Sequence, residues 1–137
     1  MQNPTTGKTI DVPGGRCDDG TKLIVWGYHG RDNQLFYLGP NNSIVSKSCN
    51  KVLDIEGASC NPGAKLILWP AHGRANQEFV MRADGSIFNP GCRTVIDMIP
   101  SARSGDGIIL WPPHGSWNQK WVRKYSGMVA EIVAEME

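Results

Sequence analysis

Three sets of polar and aromatic residues recur in this chain at nearly constant spacing. Asp11, Asp54 and Asp97 each end an apolar run, and Trp26, Trp69 and Trp111 follow fifteen, fifteen and fourteen residues later. Three residues past each Trp stands His29, His72 or His114, and then come Asn33-Gln34, Asn76-Gln77 and Asn118-Gln119. An ionised carboxylate only accepts hydrogen bonds, and it makes strong ones; an amide both donates and accepts. An indole offers a flat face whose negative π surface attracts partly positive C–H groups. These types together suit a ligand with adjacent hydroxyls and one apolar face.

They do not suit a reaction centre. Asp54, His72 and Ser59 invite a hydrolase reading, but Ser59 aligns with Arg16 and Ala102 in the other repeats. Hydrolysis of a glycosidic bond needs two carboxylates flanking it, about 5–10 Å apart. Here the aligned Asp residues fall one to a repeat, and the His residues are separated in the same way, which argues against a metal. The expectation is a binding protein, without enzymatic activity and without cofactor.

The positioning elements follow from the repeat itself. LIVWGYHGRDNQLF, LILWPAHGRANQEF and IILWPPHGSWNQKW share one pattern, with their Trps 43 and 42 residues apart. Self-similarity at such a period decides architecture before local propensity does. The units run over about 1–42, 43–85 and 86–126, with 127–137 left over. Each reads as a strand ending in Asp, a loop, a strand of β-branched residues ending in Trp, and a stretch through Asn-Gln. A hairpin then turns at Asn41-Asn42 or Asp84-Gly85, and strands restart at SIVSK and SIFNP. Gly20, Gly63 and Gly105 precede the Trps by six, where a turn would need positive φ.

Four short strands in each of three units make twelve. Propeller blades share this period, but propellers need at least four to close. Three units are instead buried by an all-β, pseudo-threefold β-trefoil, a short barrel with a triangular cap. Leu23, Val25, Leu66, Leu68, Ile108, Leu110, Phe36, Phe79 and Trp121 are the expected core. Strand alternation turns Trp26, Trp69 and Trp111 away from that core, toward solvent. Met128 to about Val133 is expected to add a strand beside the N-terminus and close the barrel, with an amphipathic helix as the competing reading.

At 137 residues the chain is one domain with room for a core. Gly 16 and Pro 9 suit short strands and many turns. A net charge of +1 without a basic stripe argues against nucleic acid. No apolar run approaches the length of a membrane-spanning helix, and MQNPTTGK lacks the hydrophobic segment of a signal peptide, which leaves the compartment open. Cys49 and Cys60 flank one strand about 17 Å long, too far apart to bridge. Free thiols are therefore expected for the four cysteines, although the even count leaves a disulfide between neighbouring repeats open.

Gln34-Leu35-Phe36, Gln77-Glu78-Phe79 and Gln119-Lys120-Trp121 match the Q-x-W/F element repeated in the ricin B-type (R-type) lectins, which this chain resembles over essentially its whole length. The resemblance implies a sugar-binding β-trefoil. Family sites combine the Asp, the aromatic and the Asn before Q-x-W/F, and all three elements occur in every repeat. Ile24, Ile67 and Ile109 stand where many relatives have Gln, which removes one hydrogen-bonding group from each site. The implied sites are Asp11, Trp26, Asn33 with Gln34; Asp54, Trp69, Asn76 with Gln77; and Asp97, Trp111, Asn118 with Gln119. In each, the Q-x-W/F Gln is read first as a structural residue that hydrogen-bonds nearby backbone, and His29, His72 or His114 either edges the ligand or bonds its own turn. The partners implied are glycans ending in galactose or N-acetylgalactosamine. Binding at up to three sites, agglutination and a homodimer are all compatible with the chain, as are a module of a larger toxin or glycosidase and a trefoil that binds proteins.

Overall fold

Antiparallel hairpins build the protein, which we describe from a computed structural model over residues 1–122. The strands are β1 (Lys8–Asp11), β2 (Ile24–Gly27), β3 (Phe36–Leu38), β4 (Ile44–Ser46), β5 (Val52–Ile55), β6 (Leu66–Trp69), β7 (Val80–Met81), β8 (Ile87–Asn89), β9 (Thr94–Asp97) and β10 (Ile109–Trp111). Two sheets repeat one order, β3-β4-β5-β6 and β7-β8-β9-β10, while β1 pairs with β2. Gln2 bridges both Thr9 and Val122. The N-terminal residues thereby occupy the place of β4, and Val122 the place of β3, so the first hairpin is completed across the chain ends. With these two bridges, the ten ladder strands account for the twelve positions the sequence implies. The segment expected to close the barrel, Met128 to about Val133, lies outside the described residues.

A ring of backbone bonds joins the repeats. Leu23 N donates to Leu66 O, Leu66 N to Ile108 O, and Ile108 N back to Leu23 O, at 3.0, 3.1 and 3.2 Å. One layer away, Gly20, Gly63 and Gly105 donate to Leu68, Leu110 and Val25 at 2.7 to 2.8 Å. Those glycines have φ of 85°, 92° and 98°, a region that side chains rarely enter. Around this ring the expected core residues are all buried, joined by Ile10, Val12, Ile44, Leu53, Ile55, Ile87, Ile96 and Met98. The arrangement is a β-trefoil with its apolar core on the pseudo-threefold axis.

Two expectations need correction. The cysteines are not free: Cys17–Cys49 and Cys60–Cys92 are disulfides, each spanning 32 residues. The strand length that forbids Cys49 from reaching Cys60 says nothing about partners in the adjoining repeat. Each bridge links the loop after one repeat's Asp strand to the turn before the next repeat's. The Asn-Gln pairs are also not in strands. They sit in single 3₁₀ turns, Asp32–Gln34, Ala75–Gln77 and Trp117–Gln119; β3 and β7 begin only at Phe36 and Val80, and the third turn is followed by the bridge at Val122.

Candidate functional site

Each repeat places its Asp and Trp on one face of one hairpin. Asp11 stands opposite Ile24 and Thr9 opposite Trp26, so Asp11 and Trp26 share a face two positions apart along β2. The same register recurs as Asp54↔Ile67 with Val52↔Trp69, and as Ile109↔Asp97 with Trp111↔Val95. The alternation that buries Val25, Leu68 and Leu110 turns the Trps outward. They are 44%, 40% and 41% exposed. Trp26 and Trp69 rest a ring edge on the loop of another repeat, since a Cβ at Gly105 or Gly20 would lie 3.8 or 4.0 Å from their Cζ3 atoms.

The 3₁₀ turn delivers Asn and Gln to the Asp. Asn33 Nδ2 donates to Asp11 Oδ1 at 3.2 Å and Gln34 Nε2 to Asp11 Oδ2 at 2.8 Å. In the second repeat the same bonds, Asn76 and Gln77 to Asp54, measure 3.1 and 2.8 Å. In the third, Asn118 and Gln119 reach Asp97 at 3.2 and 2.9 Å. Two of the roughly four lone-pair positions of each carboxylate are used in this way. The carboxylates are buried to within a narrow edge. Burial pushes the pKa values of Asp11 and Asp54 up, against the lowering effect of their Gln, Asn and His neighbours.

The glutamines stand behind the carboxylates rather than on the surface. Gln34, Gln77 and Gln119 are each 1% exposed. Their Nε2 groups also donate to Gly27 O, Pro70 O and Pro112 O at 3.0 Å. Their carbonyls accept from His29 N, His72 N and His114 N at 2.8 to 2.9 Å. Both amide hydrogens of each Gln are therefore spent within the protein.

The histidines realise one expected role and leave room for the other. Nδ1 of His29, His72 and His114 accepts the backbone N–H two residues on, at 3.0 to 3.1 Å. In the neutral ring the proton is therefore on Nε2. That atom lies 3.9, 3.7 and 3.8 Å from Oδ2 of Asp11, Asp54 and Asp97, beyond hydrogen-bond distance. The Asn side chains differ slightly among repeats. Asn33 spends its second amide hydrogen on Val12 O at 3.2 Å, leaving its carbonyl as its remaining group.

Every sequence-expected site residue thus falls into one of three separate clusters. Among the described residues, no group of three or more His, Cys, Asp or Glu is placed to hold a metal ion, and no helix is long and apolar enough to cross a membrane. Sequence reasoning did not single out the exposed Trp117, which precedes Asn118 in the third cluster only.

Residues 1–121 match the family described as the ricin-type beta-trefoil lectin domain. No curated protein matches the sequence. Among solved structures, a designed threefold-symmetric protein, ThreeFoil, is 29% identical with a TM-score of 0.77, the match covering 88% of this chain and 92% of that one. The exo-beta-1,3-galactanase 1,3Gal43A from Clostridium thermocellum is 30% identical with a TM-score of 0.76, over 88% of this chain and 28% of that one. The C-half of an earthworm R-type lectin, solved in complex with GalNAc, shares the fold at 23% identity, with a TM-score of 0.72 and coverage of 88% and 92%.

Proposed function

The chain belongs to the ricin-type β-trefoil lectin family, and from that premise we propose that it is a non-enzymatic lectin binding terminal galactose or N-acetylgalactosamine at up to three sites. The observation that carries this is the threefold recurrence of one constellation: a held carboxylate, an amide and an outward Trp on one face. Galactose has an apolar C–H face for the indole and adjacent hydroxyls for the Asp edge and the Asn.

The His residues find a place in this arrangement. A hydroxyl seated about 2.8 Å from both the His Nε2 and the Asp Oδ2 accepts from the first and donates to the second. The 3.7 to 3.9 Å separation leaves room for that bridge. Each site holds one carboxylate with both oxygens already bonded to amides, an arrangement for holding hydroxyls rather than for acid–base hydrolysis. The earthworm lectin's GalNAc complex and the action of the Clostridium enzyme on galactan support the choice of sugar.

Shallow sites of this kind bind in the millimolar range, about −4 kcal/mol each. Useful affinity then comes from several sites engaging one glycan-coated surface. A second reading is favoured by the likeness to part of the galactanase: the same domain serving as the sugar-binding module of a larger enzyme. It requires the same sites.

Calorimetric titration with methyl galactoside and N-acetylgalactosamine, with glucose as control, tests the proposal. Three sites per chain are expected, falling to two with any one of Asp11→Asn, Asp54→Asn or Asp97→Asn. A stoichiometry of one contradicts the three-site claim, and tighter binding of glucose contradicts the sugar assignment.

A further inference from the structure

The three sites differ at their margins. Beyond Trp111, the third repeat leaves Val122, Ile99 and Trp117 open, and the last two, at 40% and 36% exposed, stand beside Met98 and Asn118 in the chain. The corresponding residues are Pro13 and Asp32 in the first repeat, and Glu56 and Ala75 in the second. Asp32 is drawn to Lys47 at 3.2 Å. Backbone geometry sets Ile99 and Trp117 on either side of one contact: Met98 N donates to Asn118 O at 2.9 Å, Ile99 follows the donor, and Trp117 precedes the acceptor. The next side chain along from Trp117 is that of Asn118, bonded to Asp97. The mount is fixed, because the Trp117 carbonyl accepts from Asn3 Nδ2 at 2.9 Å and from Lys120 N at 3.1 Å. No described residue takes a hydrogen bond from the Trp117 indole N–H.

We propose that Trp117 and Ile99 extend the third site to take a second saccharide ring of the same glycan, so that this repeat reads a disaccharide where the other two read a terminal sugar. The proposal rests on the carbohydrate-binding reading above. An indole face with an N–H donor that no described residue takes is the combination a pyranose uses, offering the apolar face to C–H groups and the donor to a hydroxyl. The patch adjoins the Asn that would contact the first ring, and the second ring begins one glycosidic linkage away. One indole and one isoleucine present far less area than the roughly 800 Å² per partner of a stable protein interface. A single sugar ring is the occupant that fits.

The test uses the full chain carrying Asp11→Asn and Asp54→Asn, which leaves the third site alone. Methyl galactoside, N-acetyllactosamine and β-1,3-linked galactobiose are titrated by calorimetry and by nuclear magnetic resonance. At least one disaccharide is expected to bind about three- to tenfold tighter than the galactoside, the range of one aromatic stacking contact. Trp117→Ala should abolish that advantage with galactoside affinity unchanged, and Trp117→Phe should keep most of it, with melting curves confirming the fold of both. Galactoside binding with no disaccharide advantage overturns this proposal alone, as does an advantage that survives Trp117→Ala. Failure of all three sugars to bind the unsubstituted protein overturns the carbohydrate reading and this extension with it.

Discussion

Gln77→Met tests whether the Gln of each repeat holds the carboxylate in place. Methionine keeps the length and volume of the side chain but removes its amide. The lost bonds are to Asp54 Oδ2 at 2.8 Å, to Pro70 O at 3.0 Å, from His72 N at 2.8 Å and, longer and weaker, from Gly73 N at 3.4 Å. A bond to a charged group contributes roughly 1.5–3 kcal/mol and a neutral one about 1 kcal/mol. At 1% exposure water cannot replace them. The sum is a destabilisation of about 3–5 kcal/mol, a fall in melting temperature of roughly 10–15 °C for a domain of this size. Its pH dependence follows from Asp54. Burial already raises that pKa above 3.8, and the Gln77 bond is what most lowers it, so the substitution raises it further. A raised folded pKa stabilises the protein below the unfolded value and loses that effect as pH rises through the folded value. The Gln77→Met defect is therefore largest at neutral pH and shrinks in acid. Urea unfolding at pH 7 and pH 4, in a cycle with Asp54→Ala, measures the coupling directly. A loss under about 1 kcal/mol, or no coupling between the two substitutions, would refute the positioning role.

Other outcomes follow from the same geometry. Because the sugar needs ionised carboxylates and burial raises the Asp11 and Asp54 pKa values, binding at the first two sites should fade on acidification at a pH above that of an ordinary aspartate; unchanged affinity in a folded protein titrated from pH 7 to pH 4 would contradict this. Each disulfide spans 32 residues, and closing a loop of that size stabilises by about 3.5–4 kcal/mol. Cys17→Ala with Cys49→Ala, or treatment with reductant, should lower the melting temperature, and an unaltered value would show the bridges to be dispensable.

The architecture was legible because its evidence is repetitive. Three Trps in phase, each with its His-Gly and Asn-Gln, specify three equivalent hairpins, and alternation along β2, β6 and β10 then decides which way the indoles face. The glycines six before each Trp read correctly because positive φ is a local, steric requirement. The disulfides were not legible from one strand's length. Their partners are brought together by closure between adjoining repeats, a long-range consequence of the fold. A signal was present all the same: no cysteine precedes Asp11 and none lies between Asp97 and Trp111, so the junction between the chain ends lacks both members of the pair. The role of the glutamines was also ambiguous in sequence, because an amide two residues from a core aromatic can face ligand or protein. The 3₁₀ turn points Asn33 and Gln34 at the two oxygens of one carboxylate, a long-range placement that the sequence alone does not display.

The most direct measurement is a titration of the indole N–H resonances of all five Trps with galactose and N-acetylgalactosamine. The signals of Trp26, Trp69 and Trp111 should shift together in the millimolar range, while Trp121, buried with its Nε1 donating to Ile96 O at 3.1 Å, stays still. If neither sugar moves the indole of Trp26, Trp69 or Trp111 while the protein remains folded, the sites do not bind galactosides and the account of this protein as a lectin for them is wrong.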